Sequence, residues 1–111
     1  MADAHDPTAL LVVFTTVPDA EVAGRIARAL VAGRVAACVQ ALPGVRSTYR
    51  WEGRLEETSE VLLLSKTTRA RLPDFERVLQ EAHPYSVPEI VAVEAARVAA
   101  PYRAWVVAET S

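Results

Sequence analysis

Two sets of side chains in this sequence could do chemistry. The first is metal ligation. Copper and zinc sites want thiolate or imidazole, usually three or four ligands. The chain offers Cys38, His83 and His5, and no two of them share a local spacing motif. One chain therefore cannot close an ordinary site from them, whereas several copies could contribute groups across an interface. The plainer readings are a cysteine packed in an apolar strand and a histidine that closes a helix end. The second set is Lys66, His83, Tyr85 and Glu89. Lys66 is the only lysine beside eleven arginines, which suggests a position that wants a compact ammonium; chance is the alternative. His83, Tyr85 and Glu89 bracket a proline-braced loop, HPYSVP. Together with aromatic rings they could hold a small anion or an amphipathic ligand, or form an interface network with no ligand.

Other chemistries lack their residues. There is no nucleophile elbow, no phosphate-cradling glycine loop and no zinc-protease helix. A non-enzymatic protein is the expectation. The net charge of −2 leaves no basic patch for a nucleic-acid backbone. An RNA-recognition module would carry aromatics on its central strands, where this chain has LLVVFTT and EVLLLSK. The longest apolar runs fall far short of the ~20 residues that span a bilayer, so no membrane partner is expected. The segment MADAHDPTALLVVFTT has acids and no base before its apolar run, which is wrong for a signal peptide. A single cysteine excludes an intrachain disulfide and fits a reducing, cytoplasmic compartment.

The elements that must position these residues follow from periodicity. Leu10 to Val17 is β-branched and apolar, a buried strand. Asp19 is placed to cap a helix whose stripe is Ala23, Ile26, Ala27, Leu30 and Val31, with Gly33 at its end. Ala36 to Leu42 is a second strand, interrupted by a kink or bulge at Pro43-Gly44. A hairpin then turns at Glu52-Gly53-Arg54, with Val45, Ser47, Tyr49 and Trp51 on one face. The register expected sets Trp51 opposite Leu55, Arg50 opposite Glu56, Arg46 opposite Glu60 and Val45 opposite Val61, because it pairs opposite charges. Thr67 or Thr68 caps the next helix, Pro73 falls in its first turn, and His83-Pro84 stops it. Glu89 to Ala96 is a last long strand and Pro101 to Glu109 a terminal helix. The order is the split βαβ pattern, α+β, with two helices on one face of an antiparallel sheet. One domain spans residues 9–111, and residues 1–8 are expected as a loose tail.

Length arithmetic implies a partner. A chain of this size is roughly 35 Å across. The sixteen residues from Ala36 to Trp51 reach on the order of 50 Å when nearly straight. The hairpin therefore overhangs its own domain and carries Tyr49 and Trp51 at its tip. Bare edges and aromatics there are an aggregation hazard unless another subunit covers them. The alternative is a tip that curls back at Pro43-Gly44.

Six motifs then fall in order: TTVPD (15–19), RVAACVQ (34–40), STYRWEG (47–53), EVLLLSKT (60–67), HPYSVPEI (83–90) and YRAW (102–105). With them the chain resembles the CutA family of divalent-cation tolerance proteins, from about Leu11 to Trp105. The resemblance implies a ferredoxin-like βαββαβ sandwich with a long hairpin between its second and third strands and a C-terminal helix. It implies a PII-like homotrimer assembled through edge strands, in the bacterial cytoplasm, with a role in tolerance of copper and other divalent cations. It places the HPYSVP loop, Lys66 and the Tyr49–Trp51 arm near a subunit cleft. The pocket candidates are then Lys66, Tyr85, Glu89 and Tyr49, and the interface candidates Trp51, Tyr49 and Trp105. His83 and Cys38 are the metal candidates, for Cu²⁺ or another divalent cation. Some relatives have cysteine where this chain has Thr15 and histidine where it has Ala82; both departures remove soft ligands and weaken a copper site. The alternative role is a PII-like regulator that binds a small molecule or partner protein without a metal. A structural trimer used as a scaffold is a third.

Overall fold

The computed structural model describes residues 6–111, so His5 lies outside the described residues. The elements are β1 (Leu10–Val17), α1 (Ala20–Ala32), β2 (Cys38–Trp51), β3 (Arg54–Thr68), α2 (Leu72–Ala82), β4 (Val91–Glu94) and α3 (Ala100–Glu109). The strands form one sheet in the order β2-β3-β1-β4, every pair antiparallel. This is the ferredoxin-like sandwich expected.

Alternation along the strands builds the core. Val13, Val17, Val61 and Leu63 point to the helix side and pack with Ile26 and Leu30 of α1 and Phe75 and Leu79 of α2. Each such side chain fully buried contributes about 1.5–3 kcal/mol. The opposite face carries Val12, Phe14, Thr16, Leu62, Leu64 and Lys66, all only half-buried. A smaller cluster of Leu10, Ala37 and Val106 docks α3.

The ends of the helices agree with the sequence in part. The Asp19 carboxylate accepts from the Val22 amide at 2.9 Å, as an N-cap should. Gly33 closes α1, but the left-handed residue is Arg34, at φ 57°. Its guanidinium donates to the carbonyls of Ala108 and Ser111 and so caps the end of α3. Neither threonine expected to cap α2 does so. A short 3₁₀ turn, Arg69–Arg71, leads into α2, and the Thr67 hydroxyl donates instead to the Val35 carbonyl at 2.7 Å. Pro73 does fall at the start of α2, and His83 ends it.

Three expectations are corrected. β4 is four residues long, Val91–Glu94, because only Phe14 back to Leu11 of β1 offers it a partner. The register of the hairpin is slipped by one residue: Trp51 faces Arg54, Arg50 faces Leu55, Arg46 faces Ser59 and Val45 faces Glu60. The turn is the cause. It has two residues, Glu52 and Gly53, at φ 49° and 79°, the positive pair that a type I′ turn requires. Arg46 then meets Glu57 diagonally, at 3.2 Å, in an exposed pair worth little. Thirdly, of the expected tail over residues 1–8, residues 1–5 lie outside the described residues and residues 6–8 are tied down: Arg103 donates to the Asp6 carboxylate and the Thr8 hydroxyl, and the Ala70 amide to the Pro7 carbonyl.

The break at Pro43-Gly44 is a bulge between Leu42 and Val45, with Gly44 at φ 76°. The molecule measures 43 × 30 × 23 Å, and at the far end of the hairpin Trp51 is 49% and Leu55 68% exposed.

Candidate functional site

One cleft of about 590 Å³ lies where the hairpin, the end of β1 and the loop after α2 meet. β2 supplies Ser47, Tyr49 and Trp51, whose alternation puts them on one face. Glu60 joins them from β3, because the two-residue turn sets it opposite Val45. Thr16 comes from β1, and Tyr85, Ser86, Val87 and Glu89 from the proline-braced loop.

His83 anchors that loop. It is buried, and its Nε2 lies 2.8 Å from the Thr16 carbonyl. A carbonyl only accepts, so Nε2 carries the hydrogen. Nδ1 then accepts from the Tyr85 amide at 3.1 Å, and the Tyr85 ring packs beside the imidazole at 4.7 Å. Both ring nitrogens are therefore engaged. His83→Ala leaves a carbonyl and an amide without partners and should destabilise the fold by about 1–3 kcal/mol, read as a lower urea midpoint at unchanged slope.

Tyr85 reaches across to Glu60. Its hydroxyl donates to the Glu60 carboxylate at 2.9 Å. Burial, then this hydrogen bond and the nearby negative charge, push the Tyr85 phenol up to about 12 from its ordinary 10. Tyr102 is also raised, first by burial and then by the Cys38 thiol beside it. The sign follows from linkage: the folded state holds these protons more tightly, so their contribution to stability is complete below pH 10 and is lost as pH rises through the folded value. Absorbance at ~295 nm should show Tyr85 and Tyr102 titrating late. Tyr85→Phe should remove one late step and flatten the fall in stability above pH 10.

The other candidates stand elsewhere. Lys66 faces Val12 and Cys38 across the sheet and donates to the Gln40 side chain. Cys38 is a free, half-buried thiol near Tyr102. Val12 is four residues from Thr16 along β1, so Cys38 and Lys66 sit about 13 Å from the His83 end. Trp105 lies on α3, 43% exposed, with its ring 5.6 Å from that of Tyr102. Among the described residues, no three histidine, cysteine, aspartate or glutamate side chains gather closely enough to hold a metal ion. The structure thus joins Tyr49, Trp51, Tyr85 and Glu89, adds Glu60, and leaves Lys66, Cys38 and Trp105 outside the cleft. The expected partner of Glu60 was Arg46. Reading Glu52-Gly53 as a two-residue turn would have moved Glu60 to the aromatic face.

No helix among the described residues is long and apolar enough to cross a membrane. Residues 11–109 match the CutA1 divalent ion tolerance protein family. The "Divalent-cation tolerance protein CutA" of Thermus thermophilus is 49% identical over 94 residues, 85% of this chain and 91% of that protein. The mouse "Protein CutA" is 40% identical over 100 residues, and the match covers 56% of its length. Among solved structures, CutA of Xylella fastidiosa superposes with a TM-score of 0.91 at 40% identity, over 93% of this chain and 99% of that one. The Thermus thermophilus Cut A1 structure gives a TM-score of 0.89 at 46% identity, over 92% and 99%. Fold, motif series and sequence identity agree, and the chain belongs to the CutA family of divalent-cation tolerance proteins.

Proposed function

We propose that this chain is a non-enzymatic, cytoplasmic homotrimer that contributes to divalent-metal tolerance, copper included, through weak cation binding at sites between subunits. The observation that carries the reading is the hairpin. Tyr49 and Trp51 are 41% and 49% exposed on it, and among the described residues the edge strands β2 and β4 each have one side without a partner. Val91 and Val93 of β4 are also half exposed. Edges and apolar side chains arranged like this favour pairing between copies. Family membership supports the divalent-cation role.

The ligand geometry keeps the affinity low. His83 can bind an ion through Nδ1 only by releasing the Tyr85 amide. Cys38 lies too far along the sheet to join it within one chain, so a second subunit must supply the complement. Calorimetric titration with Cu²⁺ and Zn²⁺ should give weak heats that shrink in His83→Ala. Identical isotherms would remove His83 from the site.

A second reading rests on the cleft: a PII-like regulator that takes a small molecule or partner protein and has no specific metal role. A thermal-shift screen separates the two, since only a ligand of the folded state raises the melting temperature. A metabolite that stabilises where metals do not favours the second.

A further inference from the structure

The cleft on the hairpin is built for a charge that the chain does not provide. Glu60 is 7% exposed. Its carboxylate accepts one hydrogen bond among the described residues, from Tyr85, and no ion pair among them reaches it. A carboxylate this far from water ordinarily has a cation beside it. Yet the atoms of Glu60 are not sealed in: the residue lines the open cleft, with Glu89 as a second carboxylate on the wall. Asp19 lies close enough to act on Tyr85 through its charge. The lining contains no lysine, arginine or histidine. Lys66, the compact ammonium expected here, is occupied by Gln40 at the other end of the strand, and His83 has both nitrogens bonded. The electrostatics of one subunit therefore oppose an anion and favour a cation.

The walls select among cations. Tyr49, Trp51 and Tyr85 give three aromatic side chains around the carboxylates, and aromatic faces attract ammonium groups. Thr16, Ser47, Thr48 and Ser86 add hydroxyls that can accept from an N–H. A bare divalent ion wants six or more oxygens at short range, and among the described residues no cluster of three acidic or imidazole ligands forms. The volume, about 590 Å³, suits a small organic molecule. We infer that this cleft binds an organic ammonium compound, its cationic head on Glu60 and its apolar part against Trp51 and Tyr49. The inference goes beyond the metal-tolerance reading and does not need it.

The test is calorimetric titration of the full chain with three probes of one shape: benzylammonium, benzyl alcohol and phenylacetate. Benzylammonium should bind saturably, and the neutral and anionic probes at least about tenfold more weakly. Glu60→Gln keeps an oxygen for the Tyr85 hydroxyl but loses the charge, and should weaken benzylammonium at least about tenfold. Glu89→Gln should weaken it less. Equal binding of the three probes overturns the inference, as does unchanged affinity in Glu60→Gln. So does a site that Zn²⁺ saturates in a Glu60-dependent way while benzylammonium does not bind. Should Glu60→Gln fail to fold, the probe series and Glu89→Gln still decide. Sedimentation of the same samples separates this from the assembly: a monomer that binds benzylammonium refutes the trimer alone, and a trimer that binds none refutes the ammonium site alone.

Discussion

Trp51→Ala should raise the protein concentration at which the proposed trimer dissociates by about a hundredfold, while the far-ultraviolet circular dichroism of the chain stays unchanged. The size follows from the exposed ring. Trp51 is 49% exposed in the single chain, next to the turn of the hairpin, so its loss leaves no cavity in the core. A central aromatic anchor in an interface is worth about 2 kcal/mol or more. In the proposed trimer three copies would lose it together, which would raise the dissociation constant by about 10⁴. The midpoint concentration goes as the square root of that constant, hence about 10². Dilution followed by sedimentation velocity reads the shift. An unchanged midpoint would mean that the ring faces solvent in the assembly.

Phe75→Ala does the reverse. It should destabilise the subunit itself by about 3–5 kcal/mol. Phe75 is the largest fully buried side chain and packs α2 against α1 and the sheet. Its removal opens a cavity in the one place where both helices and the central strands meet. Against a total stability of about 5–15 kcal/mol for a typical domain, this is a large part. The expected result is a much lower urea midpoint, with loss of secondary structure and of assembly in one transition. A variant that falls apart into folded subunits would contradict it. The pair of variants separates what holds the subunit from what holds the assembly.

Much of this was legible in the residues. Asp19, Pro73, His83-Pro84 and the Pro43-Gly44 bulge act locally, so their effects appear in the chain as written. The element order followed from periodicity. The misses arise where one residue takes an unusual backbone shape. Asn-Gly or Asp-Gly would have announced a type I′ turn; Glu52-Gly53 makes one with glutamate at positive φ, which the residue type does not advertise. From that single point came the slipped register and the misplacing of Glu60. Arg34 hides its left-handed shape in the same way, because contacts to Ala108 and Ser111, distant in sequence, hold it there. The length of β4 depends on what β1 offers it, which the run Glu89 to Ala96 does not encode. For the cleft, the sequence offered Tyr49, Tyr85 and Glu89 together with Lys66, and Trp51 as an interface residue; the structure places Trp51 on the cleft wall. The sequence could not supply their distance from Lys66, which only the pairing of β1 with β3 sets.

The cross-subunit reading of Tyr49 and Trp51 is the claim on which the rest of the function depends. Sedimentation equilibrium at micromolar concentration tests it most directly. The proposed homotrimer gives one species at three times the 12.1 kDa of a single chain. A monodisperse monomer, with Trp51 open to water, would contradict it.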